Sequence, residues 1–189
     1  TLGRIGRQRI AGRAGWLDRT PLRPAVFVHR CKREYRMPKI DIAAARRREG
    51  TRYPAPFDTP CLSRVRQQLG DVVGLSQFGV NLLTLPPGAW SSQRHWQGKE
   101  DEFVWVLEGE VVLETNDGEQ TLRAGHCAGF PAGRGEAHRF VNRGDRDVLL
   151  LVVGDRSPFD EVYYPTLDLH ARAGADGRYL FTRKDGSGF

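Results

Sequence analysis

The chain has 189 residues, of which 39% are hydrophobic, and its formal net charge is +6. This length allows one domain with a substantial core, and no apolar run approaches the roughly 20 residues that a membrane span needs. We therefore expect a cytoplasmic protein with no membrane partner, and three widely spaced cysteines fit that reducing compartment.

The positive charge is concentrated in a basic leader, residues 1–36. The leader holds ten Lys or Arg against two acids, whereas the rest of the chain holds 19 basic and 21 acidic side chains. The domain itself therefore lacks the basic surface of a nucleic-acid-binding protein, and we expect no nucleic-acid partner. The leader has three interpretations: translation assigned from a start upstream of Met37, an organelle transit peptide, or a native basic arm. In each case we expect it to be poorly ordered or not native.

After the leader, an extended arm gives way to closely spaced strands. Residues 37–74 contain RYPAPFDTPC, whose prolines keep the chain extended, and we expect them to pack on the domain as an N-terminal arm. Short strands separated by Gly-containing turns at intervals of about ten residues predict an all-β antiparallel sandwich or barrel over residues 75–155. Residues 156–189 are a polar C-terminal extension with spaced aromatic side chains. The predicted strands cover 80–85, 102–115, 120–125, 138–142 and 147–154.

The strand at 102–107 is apolar on both faces. Val104 and Val106 share one face, while Phe103, Trp105 and Leu107 share the other. A strand with one solvated face would alternate with polar residues. We therefore expect a second sheet or a partner subunit to cover the outer face, and a homodimer is the simplest such arrangement.

Two motifs carry the residues suited to chemistry. PGAWSSQRHWQGKEDEFVWVLEG holds His95 and Gln97, which face the same side of an extended chain, followed by Glu102. GHCAGFPAGRGEAHRFVN holds His138. Together they resemble the two conserved motifs of the cupin superfamily, with Gln97 at the place of the second histidine and two additional residues before His138. The resemblance implies a small single-domain bacterial cupin: a double-stranded β-helix of jelly-roll type with extended terminal segments.

The resemblance also implies one metal ion inside the barrel. Two imidazoles and a carboxylate suit divalent Fe, Mn, Ni or Zn, and an amide oxygen would be a weaker fourth donor. Two alternatives stay open: the histidines form a metal-free hydrogen-bond network, or Glu100, which has the parity of Glu102, is a ligand instead. Carried over by position, the ligands are His95, Gln97, Glu102 and His138.

Two functions remain open for a barrel of this kind, each with a small-molecule ligand. One is a metal-dependent enzyme acting on a small polar metabolite, similar to a sugar-phosphate isomerase or a dioxygenase, with Glu102 or a metal-bound water as the base. The other is a non-catalytic binding or sensor module whose metal site is weakened or absent. Arg94 is the candidate contact for an anionic substrate group, and Trp96 is expected to face away from the pocket. A nucleic-acid-binding function would rest on the leader alone.

Overall fold

The computed structural model describes residues 39–189, and the predictions for the leader 1–36 lie outside these residues. The described residues contain thirteen strands, one short α-helix, α1 (Leu69–Val72), and 3-10 turns at Ile42–Ala44 and Thr59–Cys61. No helix among them has the length and apolar character to cross a membrane. The strands are β1 (Arg47–Glu49), β2 (Val65–Gln68), β3 (Phe78–Leu85), β4 (Trp96–Gln97), β5 (Glu102–Glu108), β6 (Glu110–Thr115), β7 (Gly118–Arg123), β8 (Cys127–Phe130), β9 (Arg139–Val141), β10 (Val148–Asp155), β11 (Glu161–Tyr163), β12 (His170–Ala173) and β13 (Tyr179–Thr182).

The strands form three antiparallel sheets. The largest has the order β1-β2-β3-β10-β5-β8, the second has the order β13-β12-β11-β4, and the third has the order β7-β6-β9. Neighbours in the largest sheet are far apart in sequence, because β10 pairs with both β3 and β5. The predicted all-β antiparallel fold is confirmed, and its long-range pairings bring distant motifs together.

The core lies against the inner face of the largest sheet. On the central strand β10, Val148, Leu150 and Val152 are at most 6% exposed. Val104 and Val106 of β5 face the same core and are 2% and 0% exposed. Burying each such side chain stabilises the fold by about 1.5–3 kcal/mol. The alternation of side chains along these strands therefore fixes which residues face the barrel interior.

The turn between β5 and β6 depends on a glycine. Gly109 has a φ of +84°, in the left-handed region, and a Cβ there would lie 3.0 Å from the Asp147 carbonyl oxygen. Only glycine fits such a position without strain. The predicted turn at 108–110 and the hairpin at 116–119 are both confirmed, the latter joining β6 to β7.

Residues 39–189 do not cover the outer face of β5. Phe103, Trp105 and Leu107 are 40%, 44% and 37% exposed. The expected second sheet does not cover them, and within the described residues this face stays open to solvent. A homodimer that covers it remains a prediction.

The segments on either side of the barrel add strands to it. In the arm, β1 pairs with β2 and β2 pairs with β3, which extends the largest sheet at its edge. In the C-terminal extension, β12 pairs with β11 and β13, and β11 pairs with β4. Side chains from both segments therefore reach the barrel mouth described next.

Candidate metal centre

Three of the four residues singled out from the motifs converge. An isolated antiparallel bridge joins His95 to His138, with the His95 amide donating to the His138 carbonyl at 3.1 Å and the reciprocal bond at 2.8 Å. Glu102 opens β5 with the same parity as the buried Val104 and therefore faces inward. One ligand atom from each of the three side chains lies within 4.8 Å of the others. Residues 43 positions apart in sequence thus form one cluster.

The two imidazoles are oriented by backbone carbonyls. The His95 Nδ1 donates to the Gln93 carbonyl oxygen at 2.9 Å, and the His138 Nδ1 faces the Glu136 carbonyl oxygen at 3.5 Å. A carbonyl partner at Nδ1 holds the proton on that nitrogen and leaves Nε2 for another bond. The His138 Nε2 lies 2.8 Å from the Glu102 Oε2. The hydrogen bond with the Glu102 carboxylate needs a proton on the His138 Nε2, and a metal bound at that nitrogen would take the place of this proton.

An aromatic stack fixes the position of His138. The Phe130 ring lies 3.4 Å from the His138 ring, centroid to centroid, at an interplanar angle of 6°. The His95 ring is 5.0 Å from the His138 ring and 5.9 Å from the ring of Tyr164. These contacts restrict the rotamers of both histidines, so the cluster is held in place before any ligand arrives.

Electrostatics keep the cluster in the protonation state that a metal needs. Burial, reinforced by the neighbouring His138, lowers the pKa of His95 to about 4, so its imidazole is neutral at pH 7. Burial is the largest single influence on the pKa of Glu102 and raises it, but the hydrogen bond with His138 and the nearby charges together bring the pKa below its usual value. A neutral imidazole and an ionised carboxylate are the metal-binding forms.

Two members of the cluster, His95 and Glu102, line a cavity of about 350 Å³ at the barrel mouth. Its floor is apolar and includes Leu83, Val104 and Val152. Both flanking segments contribute to its wall, for example through Tyr53 of the arm and Phe181 of β13. The volume suits a small metabolite.

Gln97 reaches the same cavity, but its amide nitrogen is already bound. The Gln97 Nε2 donates to the Glu100 Oε2 at 2.8 Å and lies 3.5 Å from the Asp160 Oδ2. Tyr179 donates to the same Asp160 oxygen at 3.0 Å. Burial, together with the nearby Asp160 carboxylate, raises the pKa of Glu100 to about 7. Gln97 is thus part of a carboxylate-rich network beside the three clustered residues, and its role as a fourth metal ligand remains a proposal.

Sequence reasoning missed two members of this network. Asp160 is completely buried and accepts the Lys99 amide at 2.7 Å, and Tyr179 lies on β13. Both belong to the C-terminal extension, where no motif marks them. Their function depends on tertiary pairing of β11 with β4, which the local sequence does not reveal.

Two other expectations can be compared with the structure. Arg94 donates to the Asn116 side-chain oxygen at 2.9 Å, and among the described residues it is not part of the cavity wall. The expected anion contact at Arg94 is therefore wrong. Trp96 stacks on Tyr163 with ring centroids 4.2 Å apart, outside the cavity, as its parity predicted.

Comparison with known proteins agrees with this geometry. The profile of the Cupin domain matches residues 81–154. The solved structure of a sugar phosphate isomerase from a cupin superfamily, from Silicibacter pomeroyi, is 47% identical, covering 80% of this chain and 96% of that chain with a TM-score of 0.76. The chain belongs to the cupin superfamily.

More distant cupin structures support the same fold. A candidate sugar phosphate isomerase from Acidithiobacillus ferrooxidans is 31% identical, covering 65% of this chain and 78% of that chain with a TM-score of 0.60. The polyketide cyclase RemF from Streptomyces resistomycificus, at 21% identity, covers 70% of this chain and 87% of that chain with a TM-score of 0.55 and shows the fold alone. No curated protein matches the chain. The predicted jelly-roll cupin fold is confirmed.

Proposed function

We propose that this cupin is a metal-dependent isomerase acting on a small phosphorylated sugar. The observation that carries the proposal is the convergence of His95, Glu102 and His138 within 4.8 Å, with His95 and Glu102 at the wall of a cavity of metabolite size. The two relatives described as sugar phosphate isomerases support the reaction class, since they are 47% and 31% identical to this chain. Membership of the fold alone would not support a particular reaction class, because one fold hosts many activities.

The donor set fits a divalent transition metal. Two imidazoles and one ionised carboxylate match the preference of Fe, Mn, Ni and Zn. Glu102, His95 and His138 would hold the ion, with the amide oxygen of Gln97 as the weaker fourth donor. When bound, such an ion polarises a carbonyl or hydroxyl oxygen as a Lewis acid.

The chain itself would supply orientation and proton transfer. An isomerisation that moves a proton between neighbouring carbons requires a general base at the cavity wall, and a carboxylate can serve as one. Glu102 and Glu100 both line the cavity. Glu102 is the base assigned from the sequence, and Glu100 is the second carboxylate within reach. Glu100→Gln tests which of the two carboxylates is the base, because it leaves the three proposed metal ligands intact.

Elemental analysis of protein purified without chelators tests the metal. We expect about one equivalent of a transition metal in the wild type and its loss in His95→Ala and His138→Ala. His126→Ala is the matched control, because His126 is exposed and belongs to the turn before β8. Aldose and ketose phosphates incubated in deuterated water would then report proton exchange by NMR. A wild-type protein without metal, or one with metal but no exchange on any such substrate, would contradict the isomerase.

One observation favours a non-catalytic binding or sensor module as the second candidate. Gln97 stands where a second imidazole is expected, and its amide nitrogen is held by Glu100. Such a module would retain a small ligand without turnover. A dioxygenase-like activity would instead show as oxygen consumption that depends on the metal. Deuterium exchange into a substrate carbon without oxygen uptake distinguishes the isomerase from both the binding module and the dioxygenase.

We further propose that the protein works in the cytoplasm as a homodimer. Cys61 and Cys127 are free thiols, as expected in a reducing compartment. The exposed Trp105 face of β5 supplies the apolar area that a dimer would cover.

A further inference from the structure

We propose that Arg66 forms, with Arg48 and Arg64, a subsite that binds the phosphate group of the substrate. The inference rests on the proposed function, because it names the substrate chemistry of the same cavity. It adds residues of the N-terminal arm, which lie outside the matched range 81–154.

Strand register places these arginines on the cavity side of the sheet. Arg66 on β2 is the direct partner of Leu83 on β3, and Leu83 is 2% exposed. Direct partners in an antiparallel pair project to the same face. Arg48 on β1 is in turn the direct partner of Arg66, and Arg64 shares its parity. All three line the cavity that holds the His95 cluster.

Arg66 carries a charge that forms no ion pair among the described residues, although Glu102 partly compensates it from a distance. Its Nε is buried without a hydrogen-bond partner. Burial lowers the pKa of Arg66 to about 10, which still leaves it charged at pH 7. A partly buried cation with an unsatisfied donor is costly, and an anion that enters the cavity would relieve this cost.

The neighbouring arginines add to this positive field. The Arg64 Nε donates to the Gly50 carbonyl oxygen at 3.1 Å, and its second nitrogen lies 3.3 Å from the Thr51 hydroxyl, which fixes its position. Burial lowers the pKa of Arg48, as do nearby cations, Arg52 first among them. Other arginines of the described residues form ion pairs with acids: Arg139 and Arg143 with Glu114, Arg156 with Asp71, and Arg172 with Glu161.

The charge of the cavity favours a dianion. The acids that line it are Glu100, Glu102 and Asp155, and Glu102 is committed to His138 and to the proposed ion. A guanidinium offers five N–H donors in a planar fork that matches a phosphate in two parallel bonds. A phosphate monoester therefore fits the arginines at one end while its hydroxyl or carbonyl oxygens reach the metal ligands at the other.

Calorimetric titration of the full chain with inorganic phosphate tests the subsite, in a buffer free of phosphate and sulfate. The metal content of each sample is measured in parallel. We expect binding of one phosphate, and Arg66→Met to weaken it about tenfold or more, the value of a lost charge-assisted hydrogen bond. Arg66→Lys keeps the charge but not the planar guanidinium. Its affinity for phosphate should therefore lie between those of the wild type and Arg66→Met.

Two control variants and one competing anion sharpen the result. Arg123→Met removes an exposed arginine paired with Glu110, and Arg94→Met removes the contact expected from the sequence. Both should bind phosphate as the wild type does. Acetate should bind more weakly than phosphate. Absence of phosphate binding in the wild type, acetate binding of equal strength, or an Arg66→Met variant that binds like the wild type would each overturn the inference. Arg66-dependent phosphate binding in a protein without metal would support the subsite while the isomerase fails.

Discussion

Replacing Arg66 by Met should stabilise the protein when no anion is present. The change removes a cation whose pKa is lowered on folding from that of an ordinary arginine to about 10, chiefly through burial. At about 1.4 kcal/mol per pKa unit, this difference corresponds to an upper bound of about 3 kcal/mol. Because Arg66 is only partly shielded from solvent, we expect a gain of about 1–2 kcal/mol in the free energy of unfolding.

The pH range of this effect follows from the direction of the shift. The native state disfavours the charged form, so the cost is fully present below pH 10 and is relieved as the pH rises through that value toward the unfolded pKa. Urea unfolding at pH 7 in phosphate-free buffer, followed by tryptophan fluorescence, measures the free energy of unfolding of the wild type and of Arg66→Met. Arg123→Met is the control, and loss of its exposed ion pair should change the free energy of unfolding by less than about 0.5 kcal/mol.

Phosphate should reduce the difference in the free energy of unfolding between the wild type and Arg66→Met. At a concentration of about 100 times Kd, a ligand that binds only the native state adds about 2.7 kcal/mol to the wild type. The Met variant, which binds weakly, gains less. An Arg66→Met protein that is less stable than the wild type by about 1 kcal/mol without phosphate would refute the reasoning, because Arg66 would then have a structural partner.

Four further predictions concern other parts of the molecule. Gln97→His should slow metal loss to a chelator, and an unchanged rate would mean that position 97 does not reach the ion. Asn142→Ala should lower the free energy of unfolding in urea by about 2–4 kcal/mol, because the buried amide donates to two backbone carbonyls, each at 2.7 Å. A decrease of less than about 1 kcal/mol would contradict this prediction. Trp105→Asp should shift a dimer to a monomer in light scattering, and a monomeric wild type would refute the dimer. For metal-free protein, the lowered pKa of His95, about 4, makes stability fall as the pH drops from 6.5 toward 4, by up to about 3 kcal/mol; unfolding that is independent of pH over this range would exclude a buried neutral His95.

The part of the site that the sequence predicted is the part contained in the two motifs. His95, Glu102 and His138 are implied by the resemblance of these motifs to those of the cupin superfamily, and the structure brings them together. Strands such as β5 and β10 are predicted because they are short apolar runs bounded by turn residues. Local pattern and tertiary structure agree there because burial of the core is what selects both.

The arginine subsite could not be predicted from local pattern. RRREG and SRVRQQ lack the apolar alternation that marks a strand. They form β1 and β2 because β2 adds to the free edge of β3 and β1 then adds to β2. Arg94 was chosen instead because it is adjacent to His95 in sequence. On a strand, however, adjacent residues face opposite sides, so parity already placed Arg94 away from the cavity that His95 faces.

The proposed metal ligands and the proposed phosphate-binding arginines lie in different parts of the chain. The proposed metal ligands lie within the range 81–154 that the Cupin domain profile matches, whereas Arg48, Arg64 and Arg66 lie before it. The Asp160–Tyr179 pair lies after it. A barrel that supplies an ion in a closed cavity serves many reactions, since the ion does not distinguish one oxygen-bearing metabolite from another. In the proposed function, the strands added at the edge of the sheet would select the metabolite, because they contribute charged walls to the same cavity.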